Sequence, residues 1–268
     1  MIKVRPTAVA GSFYPGDRDR LAATVDGLLA SAPQGTGKAP KALIVPHAGY
    51  QYSGPIAASA YARLRGASSS LRRVVLLGPA HRVHLRGLAL PDVEGLATPL
   101  GIVPVDEEGA AVVSRLSQVT SSALPHAQEH SLEVQLPFLQ RVLPGVPLVP
   151  LVVGSASAEQ VAEVIEQLWE REDTLVLVSS DLSHYLPYDE ARAVDRETAD
   201  RILALDAEHL DTEQACGAIP MSGLLLAARR RGLRAQELDL RNSGDTAGDR
   251  SQVVGYGAFA FDTPQETA

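Results

Sequence analysis

The 268-residue sequence is poor in cysteine, methionine and aromatic side chains: it has one Cys, two Met, one Trp and 4% aromatic residues in all. A lone Cys216 excludes an internal disulfide and suits a reducing compartment. No apolar run approaches the roughly 20 residues needed to span a bilayer. Met1 to Tyr14 carries Lys3 and Arg5 but no continuous apolar stretch and no small-residue cleavage site, so no secretory signal is expected and the protein is placed in the cytoplasm, away from membranes. A basic face is missing too. With 24 Lys and Arg against 32 Asp and Glu, the formal net charge is -8, which argues against a nucleic-acid partner. Arg229, Arg230 and Arg231 form the one dense cationic run, at the end of an apolar helical pattern, where cations meet the helix dipole favourably.

What is present is ordinary globular composition, 45% hydrophobic and 21% charged. Short β-rich runs alternate with helical patterns, which predicts an α/β fold with a central mixed sheet flanked by helices. Ala42–Val45, Val74–Leu77 and Thr174–Val178 read as buried strands. Val146–Val153 reads as another, placed at an edge or made irregular by Pro147 and Pro150. Ala235–Leu240 and Val253–Phe261 read as closing strands. Helices are expected over Pro55–Leu64, Asp106–Leu116 with Asp106 as N-cap, Ala158–Trp169, Asp189–Leu205 and Met221–Arg231, the last with Pro220 in its first turn. Ser31–Pro40, with Gly35, Thr36 and Gly37, reads as a surface loop, and the end from Thr263 as frayed. Nothing divides the chain, so residues 1–268 are expected to form a single domain.

The histidines carry the chemistry. His47 follows the first strand, His81 follows the second, and Asp181 and His184 follow Thr174–Val178. Residues beyond the carboxyl ends of parallel strands gather in one crevice, so these side chains are expected to share a pocket. Each histidine has a plainer reading as a hydrogen-bonded structural residue. His184 is open to three roles, as ligand, general base or partner of Asp181, and Asp181 could equally cap a helix. His130 lies in Glu129-His130-Ser131-Leu132-Glu133, where the two glutamates would share a helix face or form a solvated helix start. His84, His126 and His209 read as surface residues. Cys216 precedes the helix that begins near Pro220, a position that lowers a thiol pKa and suits metal ligation or nucleophilic attack; it could also be a small buried apolar residue.

Six ordered motifs have a recognisable arrangement: Gly11-Ser12-Phe13-Tyr14-Pro15, Pro46-His47-Ala48-Gly49-Tyr50, Gly78-Pro79-Ala80-His81, Glu129-His130-Ser131-Leu132-Glu133, Ser179-Ser180-Asp181-x-x-His184 and Cys216-Gly217-x-x-Pro220. In this order the sequence resembles the Memo-like family, whose fold is that of the class III extradiol dioxygenases. The resemblance implies that His47, His81 and Cys216 hold a metal, with Asp181 and His184 as catalytic groups beside it and Glu129, His130 and Tyr50 lining the pocket. Iron is the implied ion, with copper or zinc also compatible. The dioxygenases use two histidines and a glutamate; a thiolate at the third position is softer and puts ring cleavage in doubt. Family context further implies radical-SAM and AMMECR-type proteins as partners. Two functions compete: a metal-dependent oxidoreductase acting on a small molecule, and a non-catalytic module that binds metal or a peptide in the same pocket. A cysteine hydrolase built on Cys216 and His184 is weaker, because no oxyanion hole is identifiable.

Overall fold

The computed structural model describes residues 2–33, 38–169 and 171–264; residues 34–37 of the expected loop and the C-terminal residues past 264 lie outside this set. The strands are β1 (Val4–Arg5), β2 (Ala42–Val45), β3 (Arg73–Pro79), β4 (Leu88–Leu90), β5 (Gly95–Thr98), β6 (Gly101–Pro104), β7 (Val119–Ser121), β8 (Leu148–Val153), β9 (Thr174–Ser179), β10 (His184–Leu186), β11 (Arg234–Asn242) and β12 (Val253–Asp262). The helices are α1 (Arg18–Ser31), α2 (Tyr50–Tyr61), α3 (Glu107–Val113), α4 (Leu124–Ala127), α5 (Leu136–Val142), α6 (Ala158–Leu168), α7 (Tyr188–Leu203) and α8 (Ala218–Arg230). None is long and apolar enough to cross a membrane.

Nine of these strands form one mixed sheet in the order β10-β12-β2-β9-β3-β8-β4-β7, with β11 paired to β12. Its centre, β2, β9, β3 and β8, is parallel, and β12 joins β2 antiparallel. Every residue of β2, β3, β8 and β9 is buried, which is why these segments are continuous apolar runs without polar alternation. Helices cover both faces: one core packs α1, α2 and α5 against the sheet, the other α3, α6, α7 and α8. A small separate sheet has the order β1-β5-β6.

Local signals explain most boundaries. Asp106 caps α3 through the Gly109 amide, and Ser157 with Gln160 closes a capping box on α6. The helix expected from Pro55 begins five residues earlier, at Tyr50, and carries Pro55 inside it. The carbonyl that loses its partner to the proline belongs to Gln51, an exposed residue. The expectation that Pro147 and Pro150 push their strand to an edge is overturned: Pro147 precedes β8, and β8 lies between β3 and β4. The Leu148 carbonyl faces the Asp106 amide, so Pro150, two residues on, faces the same side. There β4 pairs only with Val152 and Val153, and the missing N–H leaves no ladder bond broken.

The 126–135 segment, which carries Glu129 and His130, is fastened by the amino-terminal strand. Arg5 donates to the carbonyls of His126 and Glu129 (both 2.6 Å) and to Glu133 Oε2 (2.7 Å). Glu133 also accepts from the Ala8 and Val9 amides and from Tyr14 Oη. His126, expected at the surface, is 3% exposed, with Nε2 2.8 Å from the Ala89 carbonyl. Burial pushes its pKa down to about 4. Because the folded value lies below the unfolded 6.5, stability is intact above pH 6.5 and falls as pH drops towards 4, by up to about 3 kcal/mol from this ring. Urea midpoints at pH 7 and pH 4.5 should therefore lie closer together in His126→Gln than in the parent, and an unchanged gap would count against this origin.

Candidate metal centre

The carboxyl ends of β2 and β3 bring His47 and His81 to within 5.3 Å, ring centre to ring centre. Cys216 arrives from the other direction, on the turn that leads into α8. That approach is set by Gly217: a Cβ there would lie 2.5 Å from Ser180 Cβ, so only glycine lets the turn seat against the end of β9. Gly78 plays the same part on β3, where a Cβ would meet Leu132 and Ser131 at 2.8 Å and lift the Glu129 loop away from His81.

The tautomers of both imidazoles follow from counting protons. Ser179 Oγ donates its one hydrogen to the Ser131 carbonyl (2.6 Å) and accepts from Gln135 Nε2 (2.8 Å). Towards His47 Nδ1, 2.9 Å away, it can therefore only accept, so Nδ1 carries the proton and Nε2 a lone pair. Gln135 is itself fixed, since its Nε2 also donates to the Pro46 carbonyl and its Oε1 accepts from Tyr61. His81 Nδ1 lies 2.9 Å from Glu129 Oε1. Burial alone would raise the Glu129 carboxyl, but the His130 and His81 imidazoles and the Ser131 amide hold it well below the carboxylate range. Glu129 is thus an acceptor, and His81 also keeps its lone pair on Nε2.

Both Nε2 atoms therefore keep a lone pair free to bind. The candidate ligand atoms of His47, His81 and Cys216 all lie within 4.8 Å of one another, with His47 Nε2 3.4 Å from Cys216 Sγ. Bonds of about 2.1 Å to nitrogen and 2.3 Å to sulfur, 90° to 109° apart, would separate the two atoms by about 3.1 to 3.6 Å, which brackets the His47–Cys216 distance. The set fits a borderline or soft transition ion and not Ca²⁺ or Mg²⁺, which prefer oxygen. Burial, then the charge of Asp181, push the Cys216 thiol up to about 12, the reverse of the lowering expected from a helix start. The Gly217 amide does not offset this, since it donates to Ser180 Oγ (2.9 Å). Burial, reinforced by His130 and His81, keeps His47 well below the usual imidazole range, so the pair is uncharged.

The profile of the family described as Memo-like protein matches residues 5–260. The chain belongs to the Memo-like family. A protein of Aquifex aeolicus described as a MEMO1 family protein is 36% identical, covering 97% of this chain and 100% of the relative. Another, from Methanopyrus kandleri, is 37% identical over 96% of this chain and 98% of the relative. The crystal structure of an uncharacterized Escherichia coli K12 protein superposes with a TM-score of 0.51 at 15% identity, covering 82% of this chain and 98% of that one, which shows a shared fold.

Within this Memo-like site the other expected residues divide. Asp181 is buried and its Oδ1 accepts the His47 amide (2.7 Å), while its carbonyl lies 3.7 Å from Cys216 Sγ. Burial raises the Asp181 carboxyl. Asp181 begins no helix, and among the described residues no hydrogen bond joins it to His184. His184 opens β10, near enough for its charge to act on His47 and Asp181 but outside the ligand set. Its neighbour Tyr185 is strained, with φ +58° at a register shift between β10 and β12. His130 stacks on His81 at 4.8 Å and packs on Phe13 at the same distance. The expected helix across Glu129 and Glu133 does not form: Glu129 sits in coil against His81, and Glu133 belongs to the Arg5 clamp. Tyr50 turns into the core against Tyr14 and Phe138, its hydroxyl donating to the Val134 carbonyl. Ser179, Gln135 and Phe13 were not singled out as site residues. For Ser179 the signal was a hydroxyl ending an otherwise apolar buried strand, where it must find partners.

Proposed function

We propose that this chain holds one redox-active transition ion, iron or copper, on His47 Nε2, His81 Nε2 and Cys216 Sγ, and acts as a metal-dependent oxidoreductase on a small molecule. The observation that carries the proposal is the pair of fixed tautomers, which leave Nε2 of both rings free to bind beside one sulfur, with no further partner needed for Nδ1 of either ring. Such outer hydrogen bonds orient metal-binding imidazoles and raise their basicity. Three protein donors leave coordination positions open, which is the mark of a reactive site over a purely structural one. Bound there, the ion supplies electron transfer or oxygen activation. Asp181 holds the His47 backbone in place, and His184, outside the ligand set, is assigned to moving a proton to or from the substrate. Substrate enters from the His81 side, since the His81 side chain is 27% exposed whereas His47 is 1% exposed.

Anaerobic purification followed by elemental analysis tests the proposal. About one iron or copper per chain is expected in the parent, and close to none in a His47→Ala, His81→Ala double variant. Undiminished metal in the double variant rejects the ligand set. His184→Ala is expected to keep its metal, weakened by no more than about 10- to 100-fold; complete loss would make His184 a ligand.

A further inference from the structure

A second donor set lies beside the first. Glu129, His130 and His81 each offer a ligand atom, all within 4.8 Å of one another. Glu129 Oε1 is 2.9 Å from His81 Nδ1 and 3.3 Å from His130 Nδ1. Two ligands on one ion, each about 2.1 Å from it and 90° to 109° apart, are separated by about 3.0 to 3.4 Å. The His130 contact is off the hydrogen-bond line: its Nδ1 is buried without a hydrogen-bond partner, although it adjoins a carboxylate. Phe13 and His81 pack on the His130 ring, whose Nδ1 lies beside Glu129.

We propose that Glu129, His130 and the Nδ1 edge of His81 form a second, alternative position for a divalent transition-metal ion, beside the His47, His81, Cys216 set. The ion takes the place of the proton that His81 now shares with Glu129. That proton moves to His81 Nε2, so the ring changes tautomer and no proton is released. One neutral imidazole offers a single lone pair, so the two positions compete for His81 and the chain holds one ion at a time. His81, common to both sets, has a side chain 27% exposed, against 15% for His130, 2% for Glu129 and 1% for His47. The nitrogen that His81 leaves free decides which position an ion takes.

Cobalt(II) is the probe, because thiolate ligation gives it a strong near-ultraviolet charge-transfer band. The parent should bind about one cobalt with that band. Cys216→Ala should still bind about one, more weakly and without the band. Adding His130→Phe, which keeps the ring volume, or His130→Gln should weaken the remaining cobalt at least about tenfold, whereas adding His47→Gln should change it less than about threefold. Thermal unfolding of each variant identifies the replacement at 130 that stays folded. A Cys216→Ala chain that binds no cobalt overturns the second position. So does cobalt that is lost with His47→Gln and untouched by either change at His130. Absence of the band in the parent speaks against the sulfur ligand of the first set and leaves these two comparisons intact.

Discussion

Between pH 7 and pH 9 the affinity for a divalent ion at the proposed His47, His81, Cys216 set should rise about a hundredfold, tenfold for each pH unit. The thiol is pushed up to about 12, chiefly by burial, so it is protonated throughout this window, yet it must bind as thiolate. Each ion bound there releases one proton, and each pH unit removes a tenfold competitor. His47 adds no slope, because burial holds it well below its ordinary range and it is already neutral. Competition against a chelator of known affinity at pH 7, 8 and 9 measures the effect. Cys216→Ala and Cys216→Ser should both weaken binding and flatten the profile, since neither supplies a thiolate. Their melting temperatures should change less than their metal affinity, because a small side chain still fills the space. A parent profile that is already flat, or variants that differ from it in melting temperature alone, would make Cys216 structural.

The second large effect is on folding. Replacing Glu133 with Ala should cost about 3 to 5 kcal/mol, the range for breaking a buried ion pair by removing one partner. The carboxylate is fully buried and Arg5 nearly so, with side-chain exposures of 0% and 8%. Its loss strands the Arg5 guanidinium, two backbone amides and the Tyr14 hydroxyl at once. Glu172→Ala, which removes an exposed partner of Lys41, should cost less than about 1 kcal/mol by comparison. Urea unfolding separates the two outcomes. Similar small losses would mean that water or a rearranged amino terminus replaces the clamp.

The central strands and the convergence of His47 and His81 were legible because each rests on a short-range signal. Ala42–Val45 and Thr174–Val178 are unbroken apolar runs, as strands buried on both faces must be, and His47 and His81 come straight after such runs. Cys216 is joined to them through the six motifs, since nothing in its own neighbourhood names its partners. Other features depend on chain far away in sequence. His126 reads as polar loop, but Arg5 and Ala89 draw it inside. Pro150 reads as an edge marker, but the sheet leaves a gap where its donor would have been needed. The thiol pKa argued from the helix start alone has the wrong sign, because burial and the Asp181 charge raise it. Helix α1 buries Leu21, Val25 and Leu29, one residue per turn amid alanines and charges, too thin a stripe to stand out. The short strands β4 to β7 have too few residues to show a period at all.

Strand β9 sits between β2 and β3, although it follows them in the chain by about 130 and about 95 residues. The loops bearing His47 and His81 therefore reach their final separation only after a later segment has been threaded between their strands. Ser179, which fixes the His47 tautomer, rides on that same segment, and Cys216 comes later still. During synthesis the emerging amino-terminal half has both histidines and none of the geometry. An ion held on the proposed His47, His81, Cys216 set would consequently not serve as a template for the early sheet. That set of three donors is assembled only once the parallel core has closed, which would put loading of this position downstream of folding.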